Sequence, residues 1–473
     1  MVIDSIANKQ KIARLEADFK SVRDSSYTCP RFHLMPPVGW LNDPNGLCQI
    51  DGLHHIFFQY SPFTPVGGDK YWGHYTTYDY VTYAYEGIFL SPDTPYDKDG
   101  VFSGSAISID GQMHVFYTGN VEGLEASSAN TIKVLYNDGQ PSEKKIVIGT
   151  EDYPNGISNQ VRDPKVFFEG GVYYMVLGAS TCENKGAVLL YQSKDLDVFE
   201  FKGIITTEDA FGYMWECPDV FRLGSKQFMS FSPQGLAKEA YRFQNKYQSG
   251  YLPLGVDQKV HSKDFVEWDY GFDFYAPQTY QDEKGRRILI GWMGVSDQEY
   301  NHDPSIEAGW QHMLTMAREL VLDEHTGIIR QQPLEEYEKL RGKAIELDAG
   351  ENQVFDTYEL VVSEAAHDDF ELIFDGKLNF IFDKNENVFV LKFMENGFGR
   401  TKRILKVRED FRLCSLRIFV DKSSVEIFIN EGLYVFTTKF FLDISGSRRV
   451  ENKGKIGSLI CYQLDRFNVD YIN

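Results

Sequence analysis

Five stretches of the chain repeat one pattern of polar and hydrophobic positions. Each starts with a short strand-like run, passes through a glycine-containing turn and continues into a strongly apolar run: LCQIDGLHHIFFQY, SAISIDGQMHVFYTG, KVFFEGGVYYMVLGA, DVFRLGSKQFMSFSP and TYQDEKGRRILIGWMG. This pattern is typical of β-hairpins. The turn glycines, at 52, 111, 171, 224 and 285, are 59, 60, 53 and 61 residues apart. A period of about 60 residues that holds several strands indicates a propeller blade.

The repeat predicts an all-β protein, a five-bladed β-propeller followed by a C-terminal β-sandwich. An antiparallel meander that does not close is the alternative to the propeller. Residues 1–29 are charged and helix-periodic, and the propeller is expected over residues 30–331. The run QQPLEEYEKLRGK predicts a linker at 332–344. Alternating runs such as NVFVLKFM and SVEIFIN then predict a β-sandwich over residues 345–473.

Charge and composition exclude several kinds of partner. The formal net charge of −21 repels nucleic acid and anionic membranes, so we expect neither as a partner. The aromatic content of 15% favours strands and surfaces that stack on sugars. The six cysteines form no C-x-x-C pair, which argues against a zinc site or a redox motif. The chain shows no signal-peptide pattern and no apolar run of membrane-spanning length, which predicts a cytoplasmic protein.

Three carboxylates stand near the start of the first strand in three of the five repeats. Asp43 precedes its turn glycine by nine residues, and Asp163 and Glu216 precede theirs by eight. Proline follows each acid directly or after one residue, which suits the first position of a strand. Because the first strands of propeller blades line the central axis, we expect the acids at equivalent positions around one pocket. Turn capping is the alternative for each acid alone, whereas glycosidic cleavage requires a cluster of carboxylates.

At these residues the chain resembles glycoside hydrolase family 32, the β-fructofuranosidases. The similarity covers most of the chain and depends on an ordered set of motifs: WLNDPNG (40–46), FSGSA (102–106), RDPKV (162–166), ECPDV (216–220), DFYAPQ (273–278) and GWMG (291–294). The resemblance implies a five-bladed propeller with a β-sandwich, in agreement with the repeat. It also implies a retaining hydrolase that releases terminal non-reducing β-D-fructofuranosyl residues from sucrose, sucrose 6-phosphate or short fructo-oligosaccharides, without a metal or other cofactor.

The resemblance also implies roles for individual residues. Asp43 would be the nucleophile, Glu216 the general acid/base, and Asp163 the residue that holds fructose hydroxyl groups in the transition state. We expect negative charge and burial against Trp215 to keep Glu216 protonated. The residues implied to line the fructose subsite are Asn42, Gln59, Phe102, Ser103, Arg162, Cys217 and Trp292. Among the aromatic residues, we expect Trp40, Trp72 and Trp292 to lie at the mouth and to stack on the sugar.

Several alternatives stay open at this point. A five-bladed glycosidase for arabinan or xylan would lack NDPNG, and a glycan-binding propeller without catalysis would lack one of the acids. A fructosyltransferase would share all of these residues. Lys70, Arg242 and Lys246 are candidates for binding the phosphate of sucrose 6-phosphate, with a solvated surface role as the alternative for each.

Many family members have EWG where this chain has GGD (67–69), and PREL where it has AREL from Ala317, which changes the outer pocket. We expect the second domain, which has no acid cluster, to stabilise the protein or to form homo-oligomers.

Overall fold

The computed structural model of the protein describes residues 5–123, 128–255, 257–395, 397–442 and 447–471. The predicted all-β class is confirmed, because strands dominate the described residues. The α-helices are α1 (Ser5–Asp18), α2 (Lys20–Ser25) and α3 (Asp303–Glu307), and short 3₁₀ helices occupy Thr150–Asp152, Ser262–Asp264 and Glu335–Leu340. Within the described ranges, no helix is both long enough and apolar enough to cross a membrane.

Five antiparallel sheets form in the order of the five repeats. Sheet one contains β1 (Gly39–Ile50), β2 (Leu53–Ser61), β3 (Tyr71–Thr77) and β4 (Thr82–Leu90). Sheet two contains β5 (Gly100–Ile109), β6 (Gln112–Val121), β7 (Ser128–Asn137), β8 (Gln140–Pro141) and β9 (Lys145–Ile148). Sheet three contains β10 (Ile157–Glu169), β11 (Val172–Thr181), β12 (Gly186–Ser193) and β13 (Glu200–Ile205).

The last two of these sheets complete the first part of the chain. Sheet four contains β14 (Met214–Leu223), β15 (Lys226–Gln234), β16 (Gly250–Pro253) and β17 (Val266–Glu267). The strands that follow are β18 (Tyr275–Gln281), β19 (Arg287–Trp292), β20 (Trp310–Gln311), β21 (Arg318–Leu322) and β22 (Ile329–Pro333). Sheet five takes all of them except β20, which pairs in parallel with β1 of sheet one.

One apolar cluster fills the space between each pair of neighbouring sheets. The side chains of β11 show how this arises: Met175 and Leu177 join the cluster shared with sheet two, while Val176 joins the cluster shared with sheet four. Successive side chains of a strand point to opposite faces, so a strand between two sheets is apolar at every position. The first strands are neighbours in a closed order, because β1 contacts β5, β5 contacts β10, β10 contacts β14, β14 contacts β18 and β18 contacts β1.

Two six-stranded sheets follow. The strands of this part are β23 (Arg341–Leu347), β24 (Gly350–Gln353), β25 (Tyr358–Val362), β26 (Phe370–Phe374), β27 (Leu378–Asp383), β28 (Val388–Phe393), β29 (Lys402–Lys406), β30 (Leu416–Val420), β31 (Ser424–Ile429), β32 (Tyr434–Lys439), β33 (Arg449–Gly454) and β34 (Leu459–Leu464). One further strand, β35 (Asn468–Tyr471), follows them. One sheet has the order β23-β34-β25-β30-β31-β32 and the other the order β24-β33-β26-β27-β28-β29. Their facing side chains share one apolar cluster, to which Ile418 and Ile427 contribute from one sheet and Phe380 and Leu391 from the other.

Strand β35 lies outside the two sheets of the second part, although it falls within the residues 345–473 expected for the β-sandwich. Strand β35 pairs in parallel with β4, so sheet one has six strands and includes both β20 and β35. Phe467 beside it packs against Tyr83 at a ring distance of 5.0 Å. Strand β35 has only four residues, which is too short for a periodic pattern to predict it. Its pairing with β4 is a long-range contact that the local sequence does not reveal.

Candidate active site

A β-bulge in the first strand of each sheet aims polar side chains into the end of the ring. In β10, Arg162 pairs with Gly178 and Lys165 pairs with Val176, so three residue steps in one strand oppose two in its neighbour. The same shift occurs in the other four first strands. A bulge re-aims the side chains beside it. Proline is tolerated there because the extra residue has no partner in the ladder.

The three acids do not occupy equivalent positions, so that part of the sequence prediction is wrong. Glu216 is the last paired residue before its bulge, Asp163 is one residue beyond Arg162, and Asp43 is two residues beyond Leu41. Counting from the turn glycines missed this difference for two reasons. Gly171 is the second residue of its turn whereas Gly224 is the first, and β1 has a second bulge between Asn45 and Cys48.

Asp43 is held by hydrogen bonds to both of its carboxylate oxygens. Ser103 Oγ donates to Oδ2 at 2.5 Å, and Asn42 Nδ2 donates to Oδ1 at 3.0 Å. Burial raises the pKa of Asp43, and the negative charge of Glu216 adds to this effect. The two hydrogen bonds and the positive charge of Lys70 act in the opposite direction. Burial thus disfavours the ionised form of Asp43, whereas the two hydrogen bonds and the charge of Lys70 favour it.

Asp163 and Cys217 form the floor between the acids. The backbone N–H of Cys217 donates to Asp163 Oδ2 at 2.9 Å, and its Sγ lies 3.6 Å from the same oxygen and 3.8 Å from Asp43 Oδ2. Asp163 and Cys217 have φ values of +62° and +48°, a strained region for residues other than glycine. Burial raises the pKa of Asp163 to about 7, against the opposing charge of Arg162 and with a contribution from Glu216 and Asp43.

Glu216 accepts hydrogen bonds from three side chains. Arg162 Nε and Nη2 donate to Oε1 at 2.9 and 2.7 Å, while Tyr275 Oη and Gln234 Nε2 donate to Oε2 at 2.6 and 2.7 Å. The expected burial against Trp215 is not found. That ring packs in the cluster between sheets three and four, 4.2 Å from the ring of Phe231, because neighbouring strand residues face opposite ways. Arg162 therefore replaces Trp215 as the main neighbour of Glu216.

The three acids line one cavity of about 330 Å³ at the end of the ring. Most of the expected substrate-binding residues line it with them: Asn42, Gln59, Phe102, Ser103, Arg162 and Trp292. Gln59 supports this wall, because its Oε1 accepts from Asn42 Nδ2 at 2.7 Å and its Nε2 donates to the carbonyl of Val101 at 2.9 Å. Six of the nine expected substrate-binding residues thus lie in the cavity wall, while their contact with a sugar stays a prediction.

Three expected residues lie outside the wall. Trp72 has no exposed surface and packs between sheets one and two, so its predicted stacking on a sugar at the mouth is wrong. Its Nε1 donates to the carbonyl of Phe102 at 3.0 Å, so it supports the cavity from behind. Trp40 is half-buried and does not line the cavity, and its Nε1 donates to Asn42 Oδ1 at 2.9 Å. Cys217 is buried beneath the acids.

Four residues that sequence reasoning did not assign to the fructose subsite also line the cavity: Lys70, Gln160, Tyr275 and Ser296. Tyr275 stands in the DFYAPQ motif, which could have indicated it, at the same bulge position as Glu216. For Lys70 the sequence leaves two interpretations open, a phosphate ligand or a solvated surface residue. Of the other two phosphate candidates, Arg242 donates to the carbonyl of Phe265 at 2.7 Å away from the cavity wall, and Lys246 is exposed.

The arrangement brings together three carboxylates, which can act as acid, base or nucleophile. Within the described residues, no group of three His, Cys, Asp or Glu side chains is placed to hold a metal ion. Two carboxylates from different sheets, Asp43 and Glu216, face one cavity with a third acid beside them. This arrangement is suited to attack on an acetal carbon by one acid and protonation of its leaving oxygen by another.

Comparison with known proteins identifies relatives across nearly the whole chain. Residues 33–333 match the glycosyl hydrolases family 32 N-terminal domain, and residues 336–463 match the family 32 C-terminal domain. The chain is 40% identical over 429 residues to sucrose-6-phosphate hydrolase of Bacillus subtilis, with 87% of this chain and 88% of the relative covered.

Solved structures agree with this result. The structure of sucrose-6-phosphate hydrolase from Lactobacillus gasseri superimposes with a TM-score of 0.88 at 27% identity, over 96% of this chain and 97% of that chain. A mutant of the Bombyx mori family 32 β-fructofuranosidase in complex with sucrose gives a TM-score of 0.85 at 31% identity, over 99% and 100% of the two chains.

Proposed function

Because this chain belongs to glycoside hydrolase family 32 and is a β-fructofuranosidase of sucrose-type substrates, we propose that Asp43 is its nucleophile and Glu216 its general acid/base. The observation that carries the proposal is the placement of both carboxylates on one cavity wall, with Asp163 between them. The relatives do not support an arabinan- or xylan-acting enzyme or a glycan-binding protein without catalysis.

The reaction has two steps. Asp43 attacks the anomeric carbon of the fructosyl unit while Glu216 gives its proton to the leaving glycosidic oxygen, which departs as a hydroxyl group. A water molecule then attacks the fructosyl-enzyme from the opposite face. Glu216 takes a proton from this water, and Asp43 is released with retention of configuration. Arg162 pairs with Glu216, so the acid step requires that the bound substrate loosen this pair.

Asp163 and the amide side chains complete the proposed fructose subsite. The oxocarbenium-like transition state carries positive charge, which a neighbouring carboxylate stabilises. Asp163 Oδ2 accepts from the backbone N–H of Cys217, and the second oxygen of the same carboxylate gives it acceptor capacity for sugar hydroxyl groups. Asn42, Gln59, Phe102, Ser103, Arg162 and Trp292 would contact the same sugar ring from the cavity wall.

Azide rescue tests the two roles. In Glu216→Gln the nucleophile remains, so a substrate with a good leaving group should still form the fructosyl-enzyme, and added azide should give β-fructosyl azide. In Asp43→Ala no covalent intermediate forms, and azide should attack from the vacated face to give the inverted α-azide. A retained azide product from the Asp43 variant, or an inverted one from Glu216→Gln, would mean that the two roles are exchanged.

The natural substrate proposed for this enzyme is sucrose 6-phosphate. This proposal is supported by relatives such as the Bacillus subtilis enzyme, which is a sucrose-6-phosphate hydrolase. If the proposal is right, kcat/KM for sucrose 6-phosphate exceeds that for sucrose, and added salt reduces the difference because it screens the phosphate charge. Equal values for both sugars at low salt would instead favour sucrose or short fructo-oligosaccharides as the substrate. Formation of kestose from sucrose in the same assays would identify a fructosyltransferase.

We also propose that the five sheets are the blades of a five-bladed propeller and that the following two sheets form a β-sandwich. Fold neighbours of the family have a propeller followed by a C-terminal domain. The closed order of contacts among the five first strands supports five blades, and the shared apolar cluster supports the sandwich. The domains would then meet near the 3₁₀ helix Glu335–Leu340.

A further inference from the structure

Lys70 brings a positive charge to the cavity wall. Among the described residues that line the cavity, the cations are Lys70 and Arg162, and Arg162 is paired with Glu216. The Nζ of Lys70 donates to Asn42 Oδ1 at 3.3 Å and lies 5.3 Å from the centroid of the Trp40 ring. The ammonium group is therefore held at a defined place in the wall by an amide and an aromatic face.

The Asn42 side chain connects Lys70 to the nucleophile. Its oxygen accepts from Lys70, and its Nδ2 donates to Asp43 Oδ1 at 3.0 Å. A cation on the oxygen of an amide polarises the amide and strengthens the hydrogen bond donated by its nitrogen. The positive charge also acts directly, since it lowers the pKa of Asp43 against the effect of burial.

We propose that Lys70 is a positioning residue of the hydrolase, whose ammonium group orients Asn42 and keeps Asp43 ionised. The proposal rests on the assignment of Asp43 as the nucleophile. An acidic cavity needs such a cation, because the negative charge of Glu216 raises the pKa of Asp43 and the charge of Arg162 is engaged by Glu216. An ammonium group has further N–H donors beyond the one given to Asn42, and these can donate to a bound sugar.

The titratable groups around Asp43 come from four parts of the ring. They are Lys70 from the segment before β3, Arg162 and Asp163 from β10, Glu216 and Cys217 from β14, and Tyr275 from β18. Burial lowers the pKa of Lys70 to about 8, and the negative charge of Asp43 opposes this shift. Lys70 thus carries its charge on the acidic side of neutrality, where Asp43 must be ionised in order to attack.

The experiment measures kcat/KM for sucrose in Lys70→Met from about pH 4, where an ordinary carboxylic acid titrates, to about pH 8. Loss of the cation should move the acid limb of the profile to higher pH by about 0.5–1 unit, which is a decrease of about 3- to 10-fold on that limb. Lys70→Arg should restore the limb, since it keeps the charge. Lys98→Met is the matched control, because Lys98 is an exposed lysine that pairs with Asp99 at 3.5 Å.

Several outcomes would overturn the proposal. One is an acid limb that Lys70→Met leaves unchanged, and another is a loss of kcat/KM for sucrose 6-phosphate alone, which would make Lys70 a phosphate ligand. The backbone carbonyl of Lys70 accepts from Val101 N at 3.0 Å and is unaffected by the substitution. If Lys70→Met does not fold, the neutral polar variant Lys70→Gln should give the same shift. An error in the role of Asp43 would appear separately, as a retained azide product in the Asp43 variant.

Discussion

At the scale of single residues, the burial of Asp163 in the site decreases the stability of the protein at pH values where its carboxylate is ionised. Burial raises its pKa from 3.8 to about 7, with Arg162 opposing and the other two acids adding to the shift. Between pH 3.8 and about 7, Asp163 therefore binds a proton in the folded protein that it does not bind in the unfolded chain. The stability contributed by protonated Asp163 is complete below about pH 4 and is lost as the pH rises through about 7.

The variant Asp163→Asn tests this cost. It should be more stable than the wild type at pH 8 by about 1–2 kcal/mol, while its kcat decreases because the transition state loses a negative charge. The amide oxygen can still accept from Cys217 N, which keeps the local geometry. Urea unfolding at pH 5 and pH 8 measures the effect, and Asp110→Asn, at an exposed turn, is the control. A variant that is less stable than the wild type at pH 8 would contradict this explanation.

At the scale of elements, the first strand of sheet five is anchored by the C-terminal part of the chain. Asp273, two residues before Tyr275 and β18, accepts from Arg400 Nε and Nη2 at 2.9 Å each and from the backbone N–H of Lys439 at 2.8 Å. Burial alone would raise the pKa of Asp273, but Arg400 and the N–H of Lys439 outweigh it and lower the pKa. The strand that carries Tyr275 to Glu216 thus depends on a residue more than a hundred positions away.

Loss of this ion pair should destabilise the protein strongly. Arg400→Ala leaves the buried carboxylate of Asp273 without its partner, and the expected decrease in the free energy of unfolding is about 3–5 kcal/mol at pH 7. Because the folded-state pKa of Asp273 is lowered, its contribution is present above about pH 4 and is lost as the pH falls through the folded pKa. The difference between wild type and variant should therefore shrink in acid.

Urea unfolding at pH 7 and pH 3 measures this difference. Arg408→Ala is the control, since its partner Asp410 is exposed and lies only two residues away. Equal destabilisation by the two substitutions would show that the Arg400 pair is not a structural anchor.

At the scale of the whole molecule, buried ion pairs connect the first part of the chain, sheets one to five, with the second part, the two six-stranded sheets. His33 contacts both Asp421 and Glu426, at 2.7 and 2.9 Å, and Glu426 also accepts from Arg318 at 2.6 Å. Phe419 and Phe428 join the apolar cluster of sheets one and five. Strand β35 adds a direct sheet connection back to β4. Separation of the two parts would expose this cluster and leave buried charges unpaired.

We therefore expect the two parts to unfold together. Differential scanning calorimetry of the full chain should show one transition with equal calorimetric and van't Hoff enthalpies, rather than two transitions. A chain that ends after Pro333 lacks Asp421, Glu426 and β35 and should fail to give a folded product, as measured by circular dichroism. Two separate transitions, or a folded truncated chain, would contradict this view.

The sequence alone determined the fold class, the repeated hairpins, the three acids and the family. Hairpin periodicity is a local property, and motifs such as NDPNG and ECPDV carry the chemistry within a few residues. It also identified most of the cavity wall, because Asn42, Ser103 and Arg162 stand directly beside those motifs or within them.

The tertiary structure decided the features that depend on distant contacts. The hydrogen-bond register placed the three acids at different bulge positions, and packing between sheets one and two buried Trp72 while Lys70 came to the cavity wall. The anchoring of Asp273 by Arg400 and the return of β35 to sheet one join residues far apart in the chain. No local pattern encodes such contacts, because each forms only when both partners are brought together by the completed fold.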